Sequence, residues 1–197
     1  MQICLKIILK CDSQIVLYKL LFFDIIKFKM SDIYFFTDGA CSNNRSDCER
    51  CGSGLCVSYP DGKFEMYYKS IVKGDNLRFK INSEYKELII DTCTNNVAEL
   101  FAIILALRQA KKMNILNPTI VSDSMYVIGI FNSNHRVKKN KDLIDLIKYL
   151  IERYNFKINW KHVNSHQTIS PGMSDEEKRL IIGNQHADRC AVKGASR

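Results

Sequence analysis

The sequence predicts an α/β protein built on a mixed five-stranded sheet, a three-strand antiparallel meander followed by parallel strands, with flanking helices. Short apolar segments with strand character cluster between residues 33 and 72, and the turn sequence Pro60-Asp61-Gly62 joins two of them. From residue 94 onward, helical patterns alternate with two further strand-like segments, which is the order that crossover connections produce. The 197 residues are enough for one domain with a hydrophobic core.

The predicted strands are short and are separated by polar or glycine-containing segments. They are expected at residues 33–37, 55–59, 64–72, 118–122 and 156–163. The first strand ends at Asp38, where Gly39 is expected to let the backbone turn away, and residues 42–54 are interpreted as a loop. Residues 74–91 begin polar and end in Leu88-Ile89-Ile90, so we interpret them as an insertion that rejoins the sheet at its end.

Four segments have helical character. They cover residues 97–113, 124–131, 142–154 and 174–193. The first helix is apolar on most sides, which is typical of a helix buried against a sheet, and Asn95 or Asn96 is expected to cap it. In the last helix, Ser174 and Glu177 have the spacing of a capping box.

Four carboxylates occupy positions from which they can converge. Asp38 and Asp123 directly follow predicted strands, Glu99 lies in the first turn of the first predicted helix, and Asp188 lies in the last helix. Grouped carboxylates repel one another, and their pKa values rise unless cations lie between them. Magnesium prefers oxygen ligands, and two such ions stabilise the attacking and leaving oxygens of an in-line displacement. The pattern therefore indicates metal-dependent phosphodiester hydrolysis.

Each acid taken alone also has a purely structural interpretation. Asp38 suits a turn, Glu99 suits the positive end of a helix dipole, Asp123 suits an N-cap, and Asp188 suits a solvated surface. The catalytic interpretation depends on the joint pattern, in which every acid is part of a recognisable phrase.

Composition and charge narrow the class of protein. The chain is 46% hydrophobic and 25% charged, as soluble globular proteins are, and its net charge of +8 suits a polyanionic partner. The apolar stretch within residues 1–29 is interrupted by Lys19, Asp24 and Lys27, so no membrane span is expected. The same segment lacks the small-residue cleavage site of a signal peptide.

Eight cysteines are scattered along the chain, and we expect them to be reduced thiols in a cytoplasmic or nuclear protein that is not secreted. Cys48 and Cys51, with Cys56 nearby, have the spacing of half a zinc site. A structural zinc site usually needs a second ligand pair at matching spacing, and the sequence offers none. We therefore interpret them as loop cysteines that hold no metal.

Five short motifs, four of which contain the acids, resemble type 1 ribonuclease H, the family that cuts the RNA strand of RNA–DNA hybrids. In chain order they are Thr37-Asp38-Gly39-Ala40-Cys41, Thr94-Asn95-Asn96-Val97-Ala98-Glu99-Leu100, Ser122-Asp123-Ser124-Met125, Val163-Asn164-Ser165-His166 and Gly183-Asn184-Gln185-His186-Ala187-Asp188. They follow the family's order across residues 32–194, each on the expected type of element. The resemblance implies a ribonuclease H-like fold and an endoribonuclease with a two-metal-ion mechanism.

The resemblance also implies roles for individual residues. Asp38, Glu99, Asp123 and Asp188 would hold two Mg²⁺ ions, with Mn²⁺ as a substitute, and Glu99 would also orient the attacking water. His166 would lie on a mobile loop and would assist metal exchange, proton transfer or product release.

A second group of residues matches the family's substrate contacts. Those whose side-chain amides suit 2′-hydroxyls and base edges are Asn44, Asn95 and Asn96. Those that would flank the substrate are Cys41 and Met125. The lysine cluster that includes Lys138 and Lys139 would bind phosphate without reading sequence, and an ordinary solvated loop is the alternative.

The chain departs from the family pattern in three places. The segment between His166 and Asp188 is longer than usual, and the insertion at 74–91 is unusual. The tryptophan-rich basic protrusion of many cellular members is reduced to a short stretch, and Trp160, the single tryptophan, lies outside it. We therefore expect substrate affinity to depend more than usual on salt, or on another domain.

The leading hypothesis is a metal-dependent endoribonuclease, with residues 30–197 as the ribonuclease H catalytic domain. Residues 1–29 are interpreted as a non-catalytic extension, with Met30 as an alternative start. The alternatives are a DNA nuclease on the same fold, such as a junction resolvase, and a non-catalytic hybrid-binding module. The Asn95-Asn96 pair and the Gly183-Asn184 phrase favour the first over the DNA nuclease. The presence of all four acids favours it over the binding module. The expected partner is an RNA–DNA hybrid, bound by a monomer that needs no membrane and no obligatory protein partner.

Overall fold

The computed structural model describes residues 32–41, 48–81, 84–132 and 139–196. Its strands are β1 (Tyr34–Cys41), β2 (Arg50–Ser58), β3 (Phe64–Val72), β4 (Asn76–Ile81), β5 (Glu84–Ile89), β6 (Thr119–Ser122) and β7 (Asn159–His162). Its helices are α1 (Asn95–Lys112), α2 (Met125–Asn132), α3 (Lys141–Arg153) and α4 (Asp175–Ala195). The prediction for residues 1–29 falls outside the described residues. Within the described ranges, no helix is long and apolar enough to cross a bilayer.

The main sheet has the predicted mixed topology. Its five strands lie in the order β3-β2-β1-β6-β7. β2 pairs antiparallel with both β1 and β3, whereas β6 pairs in parallel with both β1 and β7. The predicted turn joins β2 to β3, where Gly62 has a φ of 81° and its amide donates to the Tyr59 carbonyl. The α/β fold class and the meander-then-parallel order are confirmed.

Helices α1 and α4 cover opposite faces of this sheet. Gly39 of β1 lies against Ala98 and Glu99 of α1, whereas Gly54 of β2 lies against α4. Gly54 is the sheet partner of Asp38, the residue next to Gly39. Because successive residues of a strand point to opposite faces, the two helices lie on opposite sides. A cluster of buried side chains fills the α4 side: Phe36, Cys56, Val121, Val163 and Ala187.

Strand β1 is longer than the sequence predicted. It continues through Asp38 and Gly39 to Cys41, and this extension pairs with β2 throughout. The prediction that the strand ends at Asp38 and that Gly39 turns the chain was wrong. Gly39 is needed for packing, since a Cβ at this position would overlap the amide nitrogen of Glu99.

Strand β2 also begins earlier than predicted, at Arg50, within the segment that was expected to be a loop. The two glycines that indicated a loop, Gly52 and Gly54, lie where α4 crosses the sheet. A Cβ at either position would overlap the backbone of α4. These glycines therefore permit close helix–sheet packing. Cys51, the residue before Gly52, is buried in the strand, so its assignment to a loop was wrong as well.

The insertion after β3 does not rejoin the main sheet, contrary to the prediction. β4 and β5 form a separate two-stranded sheet. At its base, the Gly74 amide donates to the Ile90 carbonyl at 2.8 Å, and the Ile90 amide donates to the Asp75 carbonyl at 2.9 Å. The apolar run that suggested a return to the sheet instead ends this hairpin, and Ile90 is the buried residue at its base.

Helix α1 begins two residues earlier than predicted, and its N-cap is Thr94 instead of Asn95 or Asn96. The Thr94 hydroxyl accepts a hydrogen bond from the Val97 amide at 3.2 Å. Glu99 consequently lies in the second turn of the helix, not in the first as predicted.

The capping box predicted for the last helix is present at the start of α4. The Ser174 hydroxyl accepts from the Glu177 amide at 3.2 Å, and the Glu177 carboxylate accepts from the Ser174 amide at 2.7 Å. This reciprocal pair fixes where the loop after β7 ends and the helix begins.

Candidate active site

Three of the four predicted metal-binding acids form a compact group. Oxygen atoms of Asp38, Glu99 and Asp123 lie within 4.8 Å of one another. Asp38 and Glu99 are each only 8% exposed, and Asp123 is partly exposed. Close, largely buried carboxylates of this kind are the oxygen-rich ligand set that divalent cations prefer.

The register of the sheet places Asp38 beside Asp123. Thr37 of β1 pairs with Ser122 of β6, and each acid is the next residue in its chain. Because the two strands are parallel, the residues that follow this pair, Asp38 and Asp123, lie at the same end of the β1–β6 pairing. The Asp38 carboxylate is also held by the Gly39 amide, which donates to its Oδ1 at 2.8 Å.

Helix α1 contributes Glu99 from the face of the sheet that it covers. The Ser53 hydroxyl of β2 donates to the Ala98 carbonyl at 2.6 Å, which ties this part of α1 to the sheet. Gly39 leaves room for the helix to approach. The Glu99 carboxylate thereby joins the two aspartates, and its Oε2 is buried without a hydrogen-bond partner among the described residues.

Burial and mutual repulsion disfavour negative charge in this group when no cation is bound. Burial is the larger cause and Asp123 the second in raising the pKa of Asp38 from 3.8 to about 7. Burial, followed by repulsion from Asp38 and Asp123, raises the pKa of Glu99 well above its usual value. A divalent cation would reverse both effects and would give the unpartnered Glu99 oxygen a ligand role. The residues present therefore fit a divalent metal.

The other two predicted catalytic residues lie outside the compact group. Asp188, in α4, is close enough to contribute to the raised pKa of Asp38, but it is not one of the three acids within 4.8 Å. His166 is exposed in the loop between β7 and α4, and its φ of 55° is in the left-handed region.

Four of the described residues predicted to contact substrate lie at the start or end of an element and within four residues of an acid in the sequence. Asn95 and Asn96 are exposed at the start of α1. Met125 is 64% exposed and is the first residue of α2, two residues after Asp123. Cys41 is partly exposed at the end of β1.

A groove connects the start of α1 with the predicted lysine cluster. Its walls are the N-terminal ends of α1 and α3 and the last residues of the β4–β5 hairpin, and both Asn96 and Lys139 line it. The structure thus places one predicted amide contact and one predicted phosphate contact on the same surface. The predictions for Asn44 and Lys138 fall outside the described residues.

Two polar contacts at the site were not predicted from the sequence. Asn184 donates from Nδ2 to Oδ2 of Asp123 at 3.3 Å, and Gln185 donates from Nε2 to the backbone carbonyl of Gln167 at 3.1 Å. Both donors precede Asp188 by one helical turn, so they share its face of α4. This spacing is the signal in the sequence that could have identified them.

Comparisons with known proteins agree with this geometry. The sequence matches the RNase H family over residues 30–196. It is 31% identical over 171 residues to human ribonuclease H1, a match that covers 81% of this chain and 49% of the human protein. The chain spans about half the length of the curated relatives it matches.

Two solved structures share the fold. The N-terminal RNase H domain of a Mycobacterium tuberculosis protein, solved as a fusion with maltose-binding protein, has a TM-score of 0.57 at 20% identity, over 83% of this chain and 93% of that one. LC11-RNase H1, solved in complex with an RNA/DNA hybrid, has a TM-score of 0.53 at 15% identity, over 82% and 98% of the two chains. Because the family match covers most of the sequence and includes all the elements of the acidic group, this chain belongs to the RNase H family.

Proposed function

We propose that this chain is an endoribonuclease that hydrolyses the RNA strand of RNA–DNA hybrids. The observation that carries the proposal is the group formed by Asp38, Glu99 and Asp123, whose oxygens lie within 4.8 Å of one another in a largely buried position. Membership of the RNase H family supports the choice of reaction. The human relative named ribonuclease H1 and the LC11 enzyme solved with an RNA/DNA hybrid support the choice of substrate.

The proposed cofactor is magnesium, with two ions per site and with Mn²⁺ able to replace it. Bound cations would lower the pKa of the attacking water and neutralise charge on the leaving oxygen. Asp38 and Asp123 would supply ligands from adjacent strands, Glu99 would add a ligand and orient the water, and Asp188 would complete the set from α4. His166, on its exposed loop, would assist metal exchange, proton transfer or product release.

Substrate recognition is proposed to extend from the acids along the groove that Asn96 and Lys139 line. An amide can exchange hydrogen bonds with 2′-hydroxyls and base edges, which distinguish an RNA strand. A lysine neutralises a backbone phosphate without reading the base. The net charge of +8 suits such a polyanion and predicts weaker binding at high salt.

The test of this function is cleavage of one labelled RNA sequence in four contexts. These are the single strand, the RNA duplex, the RNA–DNA hybrid, and a single ribonucleotide embedded in DNA. Each is incubated with Mg²⁺ and with a chelator, and the Asp123→Asn variant serves as the control for contaminating nuclease. Cleavage confined to the extended hybrid and lost with chelator is the expected result. Cleavage of a branched DNA junction without cleavage of the hybrid would contradict it and would favour a DNA nuclease.

We further propose that the chain acts as a monomer in the reducing cytoplasm or nucleus and that residues 1–29 are dispensable. The cysteines in the described part of the chain form no disulfide bonds with one another, and the family match begins at residue 30. Light scattering of the purified protein tests the oligomeric state. Hybrid cleavage by a chain that starts at Met30 tests the role of the first residues, and loss of its thermal transition would count against dispensability.

A further inference from the structure

We propose that Gln185 is a positioning residue that holds the His166 loop, defined here as residues 163–174, against helix α4. Gln185 donates from Nε2 to the carbonyl of Gln167, the residue after His166, at 3.1 Å. The consequence for turnover rests on the proposed function, whereas the tether itself does not.

Helix α4 connects this tether to the acidic group. Gln185 precedes Asp188 by three residues, and its neighbour Asn184 reaches Asp123 at 3.3 Å. Residues three and four apart lie on one face of a helix, so one turn of α4 contacts both the acids and the loop. A change at Gln185 therefore acts on the position of His166 relative to the acids.

The His166 loop has few other connections to the rest of the fold. Its start is fixed to β6 by the Val163 amide, which donates to the Ser122 carbonyl at 3.2 Å, and its end is fixed by the capping box of α4. Between these ends, the hydrogen bonds of Ser170 and Met173 are to each other. The hydrogen bond from Gln185 to Gln167 ties the middle of this loop to α4.

The backbone conformation of His166 explains why a tether at the next residue would affect the position of its side chain. Its φ of 55° is in the left-handed region, which an L-residue with a Cβ adopts only where the surroundings hold it. The residue is exposed, so packing does not hold it. A hydrogen bond at the next carbonyl restricts the peptide that follows His166 and narrows the range of positions open to the imidazole.

The experiment compares Gln185→Ala and Gln185→Glu with Gln109→Ala. The glutamate variant keeps the size of the side chain and removes its N–H donor. Gln109 is a matched control, because its amide also donates one hydrogen bond, to the Tyr67 hydroxyl at 3.0 Å, in the second half of α1 away from the acids. Hydrogen–deuterium exchange of the peptide that covers residues 163–174 measures the tether, and hybrid cleavage measures its effect.

Both Gln185 variants should exchange faster in this peptide and lose about threefold to tenfold in kcat, the size expected for one hydrogen bond, with KM unchanged. The Gln109→Ala variant should change neither the exchange of this peptide nor kcat. The loss should also disappear when His166→Ala is already present, measured by single-turnover cleavage so that slow variants remain quantifiable.

The outcomes separate this inference from the proposed function. If the unmodified chain cuts no hybrid, the proposed function is wrong. The exchange measurement still tests the tether in that case, because it does not depend on activity. Unchanged exchange in both Gln185 variants would overturn the tether. A kcat loss that persists in full in the His166→Ala background would show that Gln185 does not act through His166.

Discussion

Asn184 donates a hydrogen bond from Nδ2 to Oδ2 of Asp123 at 3.3 Å, across 61 positions of the chain. Asn184 is only 7% exposed, and its Oδ1 is buried without a partner among the described residues. The amide therefore holds one oxygen of Asp123, a member of the acidic group. Groups that orient a metal ligand in this way typically change metal affinity or activity by about 10- to 100-fold when removed.

The first prediction concerns Asn184→Ala. We expect at least about a tenfold loss of kcat and a higher Mg²⁺ concentration for half-maximal activity, because Asp123 loses the donor that orients it. Hybrid cleavage across a magnesium titration measures both. The control is Asn159→Ala, which removes an amide bonded to Thr119 at 3.3 Å at the other end of β6. Equal losses in the two variants would mean that the effect is on folding alone.

The second prediction concerns Asp123→Asn. The side chain keeps its volume and loses a charge that the acidic group needs to bind a cation. We expect cleavage to fall by roughly 100-fold or more, while thermal stability without metal stays the same or rises because repulsion with Asp38 is relieved. Asp61→Asn, in the exposed turn after β2, is the matched control. Turnover near that of the unmodified chain would show that Asp123 is not a metal ligand.

The third prediction concerns pH and follows from the raised pKa of Asp38. Without metal, the folded protein keeps this proton up to about pH 7, whereas the unfolded chain releases it near the usual 3.8. Between these values the folded state binds more protons, so the free energy of unfolding falls as pH rises. With a chelator present, we expect Tm to decrease between about pH 4 and pH 7, beyond any general trend, and Asp38→Asn to remove part of the decrease.

Magnesium should reverse this loss of stability at the alkaline end, because a bound cation favours the charged carboxylates and stabilises the folded state by mass action. Scanning calorimetry of the unmodified chain and of Asp38→Asn, each with chelator and with Mg²⁺, gives four curves of Tm against pH. A Tm that does not respond to Mg²⁺ at about pH 8 would contradict a metal site at these acids.

The fold class and the set of candidate acids could both be predicted from the sequence, for separate physical reasons. Apolar strand patterns and helical periodicity are local properties, and they predicted the correct order of the five main-sheet strands and the four helices. The motif around Asp123 identified an acid after a strand, and the register of Thr37 with Ser122 shows why that acid lies beside Asp38. The predicted topology contained the parallel strands, whereas the register itself comes from the structure.

The errors arose where a residue's role depends on a distant segment. Gly39, Gly52 and Gly54 resemble turn residues locally, but α1 and α4 approach the strands at these positions. The spacing of Asn184 and Gln185 from Asp188 is local, but their hydrogen-bond partners lie 61 and 18 positions away, so the sequence pattern does not identify those partners. The start of α1 was predicted two residues too late, because Thr94 and the two asparagines that follow it are all good N-cap residues.

The fourth prediction concerns Gly39→Ala. A Cβ would overlap the Glu99 amide, so α1 must shift, and we expect unfolding to become easier by about 1–3 kcal/mol. Cleavage should fall further than this loss of stability explains, since Glu99 moves with the helix. Gly62→Ala is the control: its φ of 81° makes alanine costly, but it lies far from the acids in sequence and its Cβ would meet nothing. Denaturant unfolding and hybrid cleavage are measured for both variants.

The last prediction concerns the β4–β5 hairpin. Its two ends meet at Asp75 and Ile90, where the Ile90 amide donates to the Asp75 carbonyl at 2.9 Å, so residues 76–89 can be replaced by Asn-Gly, a sequence suited to a tight two-residue turn. We expect the shortened chain to fold and to keep its kcat, because the hairpin forms its own sheet.

Its KM for the hybrid should rise, since Leu88 and Ile89 form one wall of the groove that Asn96 and Lys139 also line. Steady-state cleavage of the same hybrid, before and after the replacement, separates the two parameters. An equal fall in kcat and kcat/KM would instead mean that the hairpin supports the acids, and an unchanged KM would mean that the substrate does not reach this wall.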